Sequence, residues 1–330
     1  MAQKNRPFEP MSRFTGLFPD ISGNAINGLG DAERRRPRPF FWHPPNRQTH
    51  GALQQEVTDY HRKSAAIRKE FSPNPPGGRG PKAIEQAAEK VEREPAKWAA
   101  LVKKFALANE SDLVGITTMD PLYVYQGYEI RESWVITVGV AMDYGELSQA
   151  PPSFENPATA VVVAKEYNRA SRACRKLANY ILSQGHYAKA YQGPYASALN
   201  MIPAAIASGF GELGKHGSII NREYGSSFRL SAVTTDMPLL SDTADTFGAD
   251  EYCMRCKACS NACPPGAIAD EKQLVRGENK WYVDFDKCIP YFGEALGCAL
   301  CLSICPWSRP GNAGKILQQL VRRDQSTSHQ

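Results

Sequence analysis

Eight of the nine cysteines in this chain of 330 residues fall between Cys253 and Cys305, and only Cys174 stands apart. The first run reads Cys253-Met-Arg-Cys256-Lys-Ala-Cys259-Ser-Asn-Ala-Cys263-Pro264. The second is Cys288, a gap of nine residues, then Cys298-Ala-Leu-Cys301-Leu-Ser-Ile-Cys305-Pro306. Three thiolates on one tight loop can reach three corners of an iron–sulfur cube. The fourth cysteine, before a proline, starts away from the loop and reaches the other cube. This spacing assigns Cys253, Cys256, Cys259 and Cys305 to one 4Fe–4S cluster and Cys263, Cys288, Cys298 and Cys301 to a second. A pair of zinc sites is the competing reading, because C-x2-C repeats also bind zinc. Zinc leaves the paired C-x3-C-P endings without a reason. Cys174 falls on an expected helix and reads as a small buried hydrophobe.

Composition narrows the setting. Hydrophobic residues make up 42% and charged residues 22%, as in ordinary globular chains, which argues against disorder. Nine cysteines are too few for a disulfide scaffold. The longest apolar stretches, Trp134–Met142 and Met201–Phe210, are about half of the roughly 20 residues a bilayer span needs, so no membrane span is expected. The start MAQKNRPFEPMSRF has no apolar segment, and the prolines and aromatics after Arg34-Arg35-Arg36 do not make one. The chain is expected to be cytoplasmic, where clustered cysteines hold metal and not disulfides. A net charge of +5 suits an anionic partner and does not by itself indicate nucleic acid.

Two clusters form an electron wire, and more than half of the chain lies outside them and should consume the electrons. Residues 1–80 read as an extended Pro/Arg-rich arm whose Phe40-Phe41-Trp42 patch docks it onto the rest. Residues 81–246 read as an α/β body, 247–312 as the cluster domain and 313–330 as a basic, helical tail. The loop Ser72–Pro81 is rich in proline and glycine. Lys82–Asn109 reads as helical with a break at Pro95. Leu113–Thr118 and Trp134–Met142 read as strands. Asn156-Pro157 is a cap followed by a first-turn proline, and the helix it opens should reach Gln184 and stop at Gly185. A short strand Tyr187–Tyr191 and a helix Tyr195–Ser208 follow. Ser218–Ile220 and Phe228–Thr234 read as a hairpin around Asn221–Gly225. Alternating strands and helices make the body a mixed α/β sandwich.

The body carries no dinucleotide fingerprint after a strand. Gly209-Phe-Gly211-Glu-Leu-Gly214 is close in pattern but follows a helix. Asp59-Tyr60-His61 resembles the opening of a D-x-H-x-x-G cobalamin loop, with Ser64 where the glycine belongs. The segment MIPAAIASGFGELGKHGSIINREYGSSFRLSAVTTDMPL, from Met201 to Leu239, resembles the core of the corrinoid-dependent reductive dehalogenases. So do Trp281-Tyr-Val-Asp284, Cys288-Ile-Pro-Tyr-Phe292, Cys305-Pro-Trp-Ser308, Ala150-Pro-Pro-Ser153 and the helix from Tyr167 to Leu182-Ser-Gln-Gly-His-Tyr187. The likeness runs from about Leu113 to Pro310, with a weaker echo in Arg38–His43. Epoxyqueuosine reductases share the layout of the second cysteine run.

The resemblance implies base-off cobalamin in a nitroreductase-like α/β sandwich, beside the inner cluster of a C-terminal bacterial-ferredoxin-like domain with two 4Fe–4S clusters. It implies an oxidoreductase that cleaves a carbon–halogen bond of an organohalide. The electron donor would be a separate low-potential protein of ferredoxin or flavodoxin type, because the chain shows neither the export signal of respiratory members nor the fused reductase of longer cytosolic ones. The proton donor maps to Tyr167, since a tyrosine stays protonated at neutral pH. The cation that would support its phenolate maps first to Arg229 and second to Arg222. Lys215 and His216 are candidates for cobalamin amides or phosphate. Gly209, Gly211, Gly214 and Gly217 would let backbone approach a large planar ligand, and Asn200 would hydrogen-bond substrate or corrin. Tyr123, Tyr125, Tyr128, Trp281 and Tyr291 are candidates for a pocket wall.

Plainer readings stand beside these. Tyr167, Ala170, Cys174, Leu177, Ala178 and Ile181 form one helical stripe, which is what a core face looks like. An epoxyqueuosine reductase-like enzyme acting on tRNA would use the same cofactors. That family carries Asp-Tyr-His where this chain has Glu166-Tyr167-Asn168, and it has a helical-repeat extension where about 20 residues follow Pro310 here. A ferredoxin-like electron carrier is the third reading, and the size of the body speaks against it.

Overall fold

The structure, a computed structural model, describes residues 8–194 and 197–327. Strands β1 (Leu113–Thr118), β2 (Trp134–Ala141), β3 (Ala188–Tyr191), β4 (Glu212–Leu213), β5 (Ile219–Ile220), β6 (Phe228–Thr235), β7 (Gln273–Val275) and β8 (Glu278–Lys280) form three sheets. The central sheet has the order β1-β2-β6-β3, with every pair antiparallel. Successive side chains of a strand point to opposite faces, and β2 shows the consequence. Ile136 and Val138 meet Trp98, Val102, Leu177 and Ile181 on one side, while Val135 meets Leu199 and Ala204 on the other. The helices Pro95–Leu107 and Ala158–Ser183 cover the first face and Met201–Ala207 the second. The body is therefore the α/β sandwich read from the sequence.

The long helix Ala158–Ser183 opens where the cap signal stands, with Asn156 Oδ1 accepting from the Ala158 amide at 3.4 Å. It stops at Gly185, whose φ of 79° is left-handed. A side chain there would run into the backbone of Glu89 and Lys90. That contact explains a correction. Residues 82–94 are not helical, and helix begins only at Pro95. Ile84, Ala87, Ala88 and Val91 have helical spacing, but tertiary pairing wins over it. Their backbone instead bonds the open end of the long helix, Ala87 N to Leu182 O and Val91 N to Gln184 O, both at 3.0 Å.

Two further expectations change. The expected hairpin is not formed: β5 pairs with β4, while β6 lies between β2 and β3. Asn221 and Gly225 close a small turn of their own. The helix expected over Tyr195–Ser208 spans only Met201–Ala207. Its proposed start at Tyr195 lies outside the described residues. Leu199 bridges Val124, and the Asn200 amide bonds Tyr123 O at 2.7 Å, so tertiary pairing takes the residues just before the helix.

The arm is not simply extended. It holds the helices Ser12–Thr15, Gly23–Asn27, Gly51–His61 and Ala65–Glu70. Phe14, Phe41, Leu53 and Val57 pack with Ile289 of the cysteine-rich part. Phe40 and Phe41 meet the Phe285 ring edge-on at 4.7 and 5.3 Å. Arg36 ties the arm to the body by donating to the carbonyls of Val124, Tyr125 and Tyr128.

In the cysteine-rich part, Glu212 caps the helix Ala249–Arg255, its Oε2 accepting the amides of Phe247 and Ala249 at 2.8 Å. The tail helix Ala313–Thr327 buries Ile316 against the layer that holds Trp307. No helix among the described residues is long and apolar enough to cross a membrane.

Candidate active site

The helices Ala249–Arg255 and Ala258–Ala262 carry Cys253 and Cys259, with Cys256 between them. Cys305 arrives from the end of the second run. These four thiols ring a cavity of about 10 Å³ together with Lys215 and Trp307. Cys263, Cys288, Cys298 and Cys301 line a much larger cavity of about 420 Å³. The fold thus gathers the eight cysteines into the two quartets read from their spacing, each with one member crossing over. Burial first, and then the charge of neighbouring thiolates, pushes Cys253, Cys259 and Cys288 up to about 12. Cys305 and Cys298 rise to about 11, again mainly through burial. Buried, crowded thiols of this kind give up their protons when a metal centre binds among them. Two backbone amides already point at sulfur, Lys215 N to Cys253 Sγ at 3.5 Å and Ala267 N to Cys263 Sγ at 3.3 Å. Leu296, Gly297, Cys298 and Ala299 all have positive φ, between 46° and 104°. Such backbone persists only where its surroundings hold it, and this loop sets Cys298 in the cavity wall.

Tyr167 sits inside the long helix, about two and a half turns from its start and N-terminal to the fully buried stripe of Ala170, Cys174, Leu177 and Ile181. It lines the large cavity and also a second one of about 280 Å³. Pro194, Ser218 and Arg229 are likewise shared by both. Gly193 leaves the room its ring needs, since a Cβ there would overlap Tyr167. The Arg229 guanidinium carbon stands 5.4 Å from the centroid of the Tyr167 ring. Arg229 is carried by β6 opposite Val140. Among the described residues its buried Nε has no hydrogen-bond partner, and Nη1 donates to Phe228 O at 3.4 Å. Asn200 lines the second cavity, as does Tyr125. Tyr291 lines the first.

Other candidates lie elsewhere. Arg222 forms a two-point ion pair with Asp245 at 2.6 and 2.8 Å and lines neither large cavity. Lys215 and His216 stand at the Cys253 quartet and not at the larger cavities. His216 Nδ1 accepts from Ser218 N at 3.2 Å and its Nε2 faces Ser226 Oγ at 3.1 Å. Burial pulls it down to about 4, so the ring is neutral. The glycines pack chain on chain: Gly211 against the Ile220 backbone, Gly209 against Thr243 O, Gly214 against His216 and Ile220, and Gly217 against Val283. Close packing between segments, and not an open face toward a ligand, accounts for them. Tyr123, Tyr128 and Trp281 line neither large cavity, and Trp281 lies beneath Lys215. Glu166 bonds Arg169 at 3.2 Å, outside both linings.

The sequence reading missed what the arm contributes. Trp42, His61, Arg62 and Arg79 all line the large cavity. His61 Nε2 lies 3.0 Å from Gly293 O, and burial pulls the ring down to about 4 against that carbonyl. A neutral ring that donates from Nε2 keeps Nδ1 as an acceptor. The Asp59-Tyr60-His61 triplet was the available signal, but its role came from where the helix Gly51–His61 docks.

Comparison with known proteins places these features in a lineage. Residues 252–308 match the 4Fe-4S dicluster domain family. The tetrachloroethene reductive dehalogenase of Desulfitobacterium hafniense is 30% identical over 199 residues, 56% of this chain and 34% of that protein. That of Sulfurospirillum multivorans is 31% identical over 185 residues, 53% of this chain and 35% of that protein. The epoxyqueuosine reductase of Escherichia coli (strain K12) is 29% identical over 207 residues, 55% of this chain and 51% of that protein. A solved catabolic reductive dehalogenase in complex with 3-bromo-4-hydroxybenzoic acid superposes with a TM-score of 0.68 at 20% identity, covering 81% of this chain and 40% of that one. The chain is homologous to reductive dehalogenases and epoxyqueuosine reductases, shares the dehalogenase fold and carries a 4Fe-4S dicluster domain. It spans about a third of the length of the dehalogenases it matches, 34% and 35%.

Proposed function

We propose that this chain is the catalytic part of a reductive dehalogenase, which replaces a carbon–halogen bond of an organohalide by carbon–hydrogen. The observation that carries the reading is the Tyr167–Arg229 pair, set where two cavities meet beside a cysteine quartet. The overall change takes two electrons and one proton and releases halide.

Cys253, Cys256, Cys259 and Cys305 would hold one 4Fe–4S cluster, and Cys263, Cys288, Cys298 and Cys301 the other. The donor set supports this, since four soft cysteine sulfurs line each cavity. Among the described residues no three of His, Cys, Asp or Glu gather closely enough to hold a single ion. Thiolates set apart around a hollow suit a cube with one iron at each of four corners. For cobalamin, the fit rests on the adjoining cavities and on the buried Arg229 Nε, which has no partner among the described residues. Tyr167, Asn200, Ser218 and Arg229 would line its site. Bound there, cobalamin supplies a strongly reducing cobalt and the clusters deliver its electrons.

The chain's own residues supply the rest. Tyr167 Oη holds the proton and gives it to the carbon that loses halogen. Arg229, over the ring, stabilises the phenolate left behind. Ile67, Phe71, Val163, Leu296, Leu300 and Leu302 in the large cavity's wall keep water from competing.

A tRNA-directed epoxide reductase is the runner-up, because epoxyqueuosine reductases are among the relatives. Glu166 stands where that family places its acid, yet it turns to Arg169. The deciding experiment uses protein purified without oxygen, supplied with cobalamin and reduced viologen. Halide release from organohalides is the expected result. Queuosine formation in tRNA without halide release would overturn the proposal.

A further inference from the structure

Lys215 is 1% exposed, and its Nζ makes no hydrogen bond among the described residues. Burying an ammonium is costly unless negative charge compensates it. Among the described residues one carboxylate lies within ion-pair distance, Asp270 Oδ1 at 3.7 Å. Asp270 is itself committed, accepting Lys257 Nζ and Ser260 Oγ, each at 2.7 Å. The Lys215 charge also rests 5.0 Å above the centroid of the Trp281 ring, a face it shares with Lys272 at 5.7 Å. What remains around Lys215 is the small cavity ringed by Cys253, Cys256, Cys259 and Cys305. Its backbone amide points at Cys253 Sγ.

We infer that Lys215 raises the reduction potential of the cluster held by the Cys253 quartet, an inference that rests on the cluster assignment above. Four thiolates already make that centre negative. Reduction brings in one electron from an external low-potential reductant, which is oxidised by one electron, and no bond forms or breaks. Lys215 meets the added negative charge across a buried site, where Coulomb interactions are weakly screened. It also helps pull electrons from the donor into the chain. Lys215 lines the cavity of the Cys253 quartet and not that of the other quartet, which has arginines of its own, so the effect of Lys215 belongs to one cluster.

The test is a potentiometric titration with dithionite, read by electron paramagnetic resonance, on full-length protein reconstituted with iron and sulfide. Lys215→Met keeps the stem and removes the charge. Lys215→Arg keeps the charge. In Lys215→Met the reduction equilibrium of one cluster should fall at least tenfold, about 59 mV for one electron. The second cluster should not move, and Lys215→Arg should stay near wild type. Unmoved midpoints in Lys215→Met, or equal shifts in both clusters, would overturn the inference. If Lys215→Met fails to hold iron, Lys215→Gln is titrated instead. Loss of iron from both neutral variants would make Lys215 an assembly residue and would equally overturn it. Wild-type protein that takes up no iron and sulfide defeats the cluster assignment itself, a different outcome from clusters whose midpoints ignore Lys215.

Discussion

Replacing Tyr167 with phenylalanine removes one oxygen and leaves the rest of the site in place. The ring still fills the space opposite Gly193 and still lies under the Arg229 guanidinium, 5.4 Å from the ring centroid. Cysteine quartets and cavities should therefore be unchanged, with iron and cobalt contents equal to wild type. What disappears is the proton, and loss of a positioned general acid costs about 10²–10⁴-fold. Arg229→Met gives an independent measure of the same step. A unit charge 5.4 Å away, at an effective dielectric of about 20, is worth about 3 kcal/mol. Screening and the greater reach to the phenolate oxygen lower that figure, so Arg229→Met should cost about 10–100-fold. The assay is halide release under reduced viologen, with a solvent deuterium isotope effect for each protein. Full turnover in a cobalamin-loaded Tyr167→Phe protein would remove this tyrosine from the chemistry.

Four further outcomes follow from the same geometry. Cys305→Ala should abolish the spectral signal of the same cluster as Cys256→Ala and leave about half the iron, because the two thiols ring one cavity. Arg222→Ala should change stability by less than about 1 kcal/mol in urea unfolding and leave halide release intact, since its partner is Asp245 at the surface. Phe41→Ala should cost about 3–5 kcal/mol and speed proteolysis of the arm, because Phe41 is buried against Phe285. His43 is buried and pulled down to about 4 by that burial. It is neutral when folded and takes a proton only when unfolded. Its contribution is complete above pH ~6.5 and lost as the pH falls toward 4. The acid limb of the stability curve should flatten over that interval in His43→Phe.

What was legible was written in short-range chemistry. The cysteine spacing grouped eight thiols into the two sets of four that line separate cavities. β1 and β2 were legible through β-branched residues, and the long helix through Asn156 and Gly185 at its ends. The rest depended on partners distant in sequence. Residues 82–94 looked like a helix start, but their backbone found the end of the helix Ala158–Ser183. β6 looked like a hairpin strand, but it became an inner strand. The glycines from Gly209 to Gly217 looked like a ligand cradle, and tight segment packing uses them instead. Lys215 carried no local sign that it stands against cysteines, since the contact joins residues far apart in the chain. The wall formed by Trp42, His61 and Arg79 was hidden for the same reason.

The most direct measurement is a metal count on protein prepared without oxygen in the presence of cobalamin, iron and sulfide. Two quartets and one corrinoid should give about eight iron and about one cobalt per chain, with the cobalt retained through gel filtration. Iron retained without cobalt would contradict the central claim and leave a chain that only carries electrons.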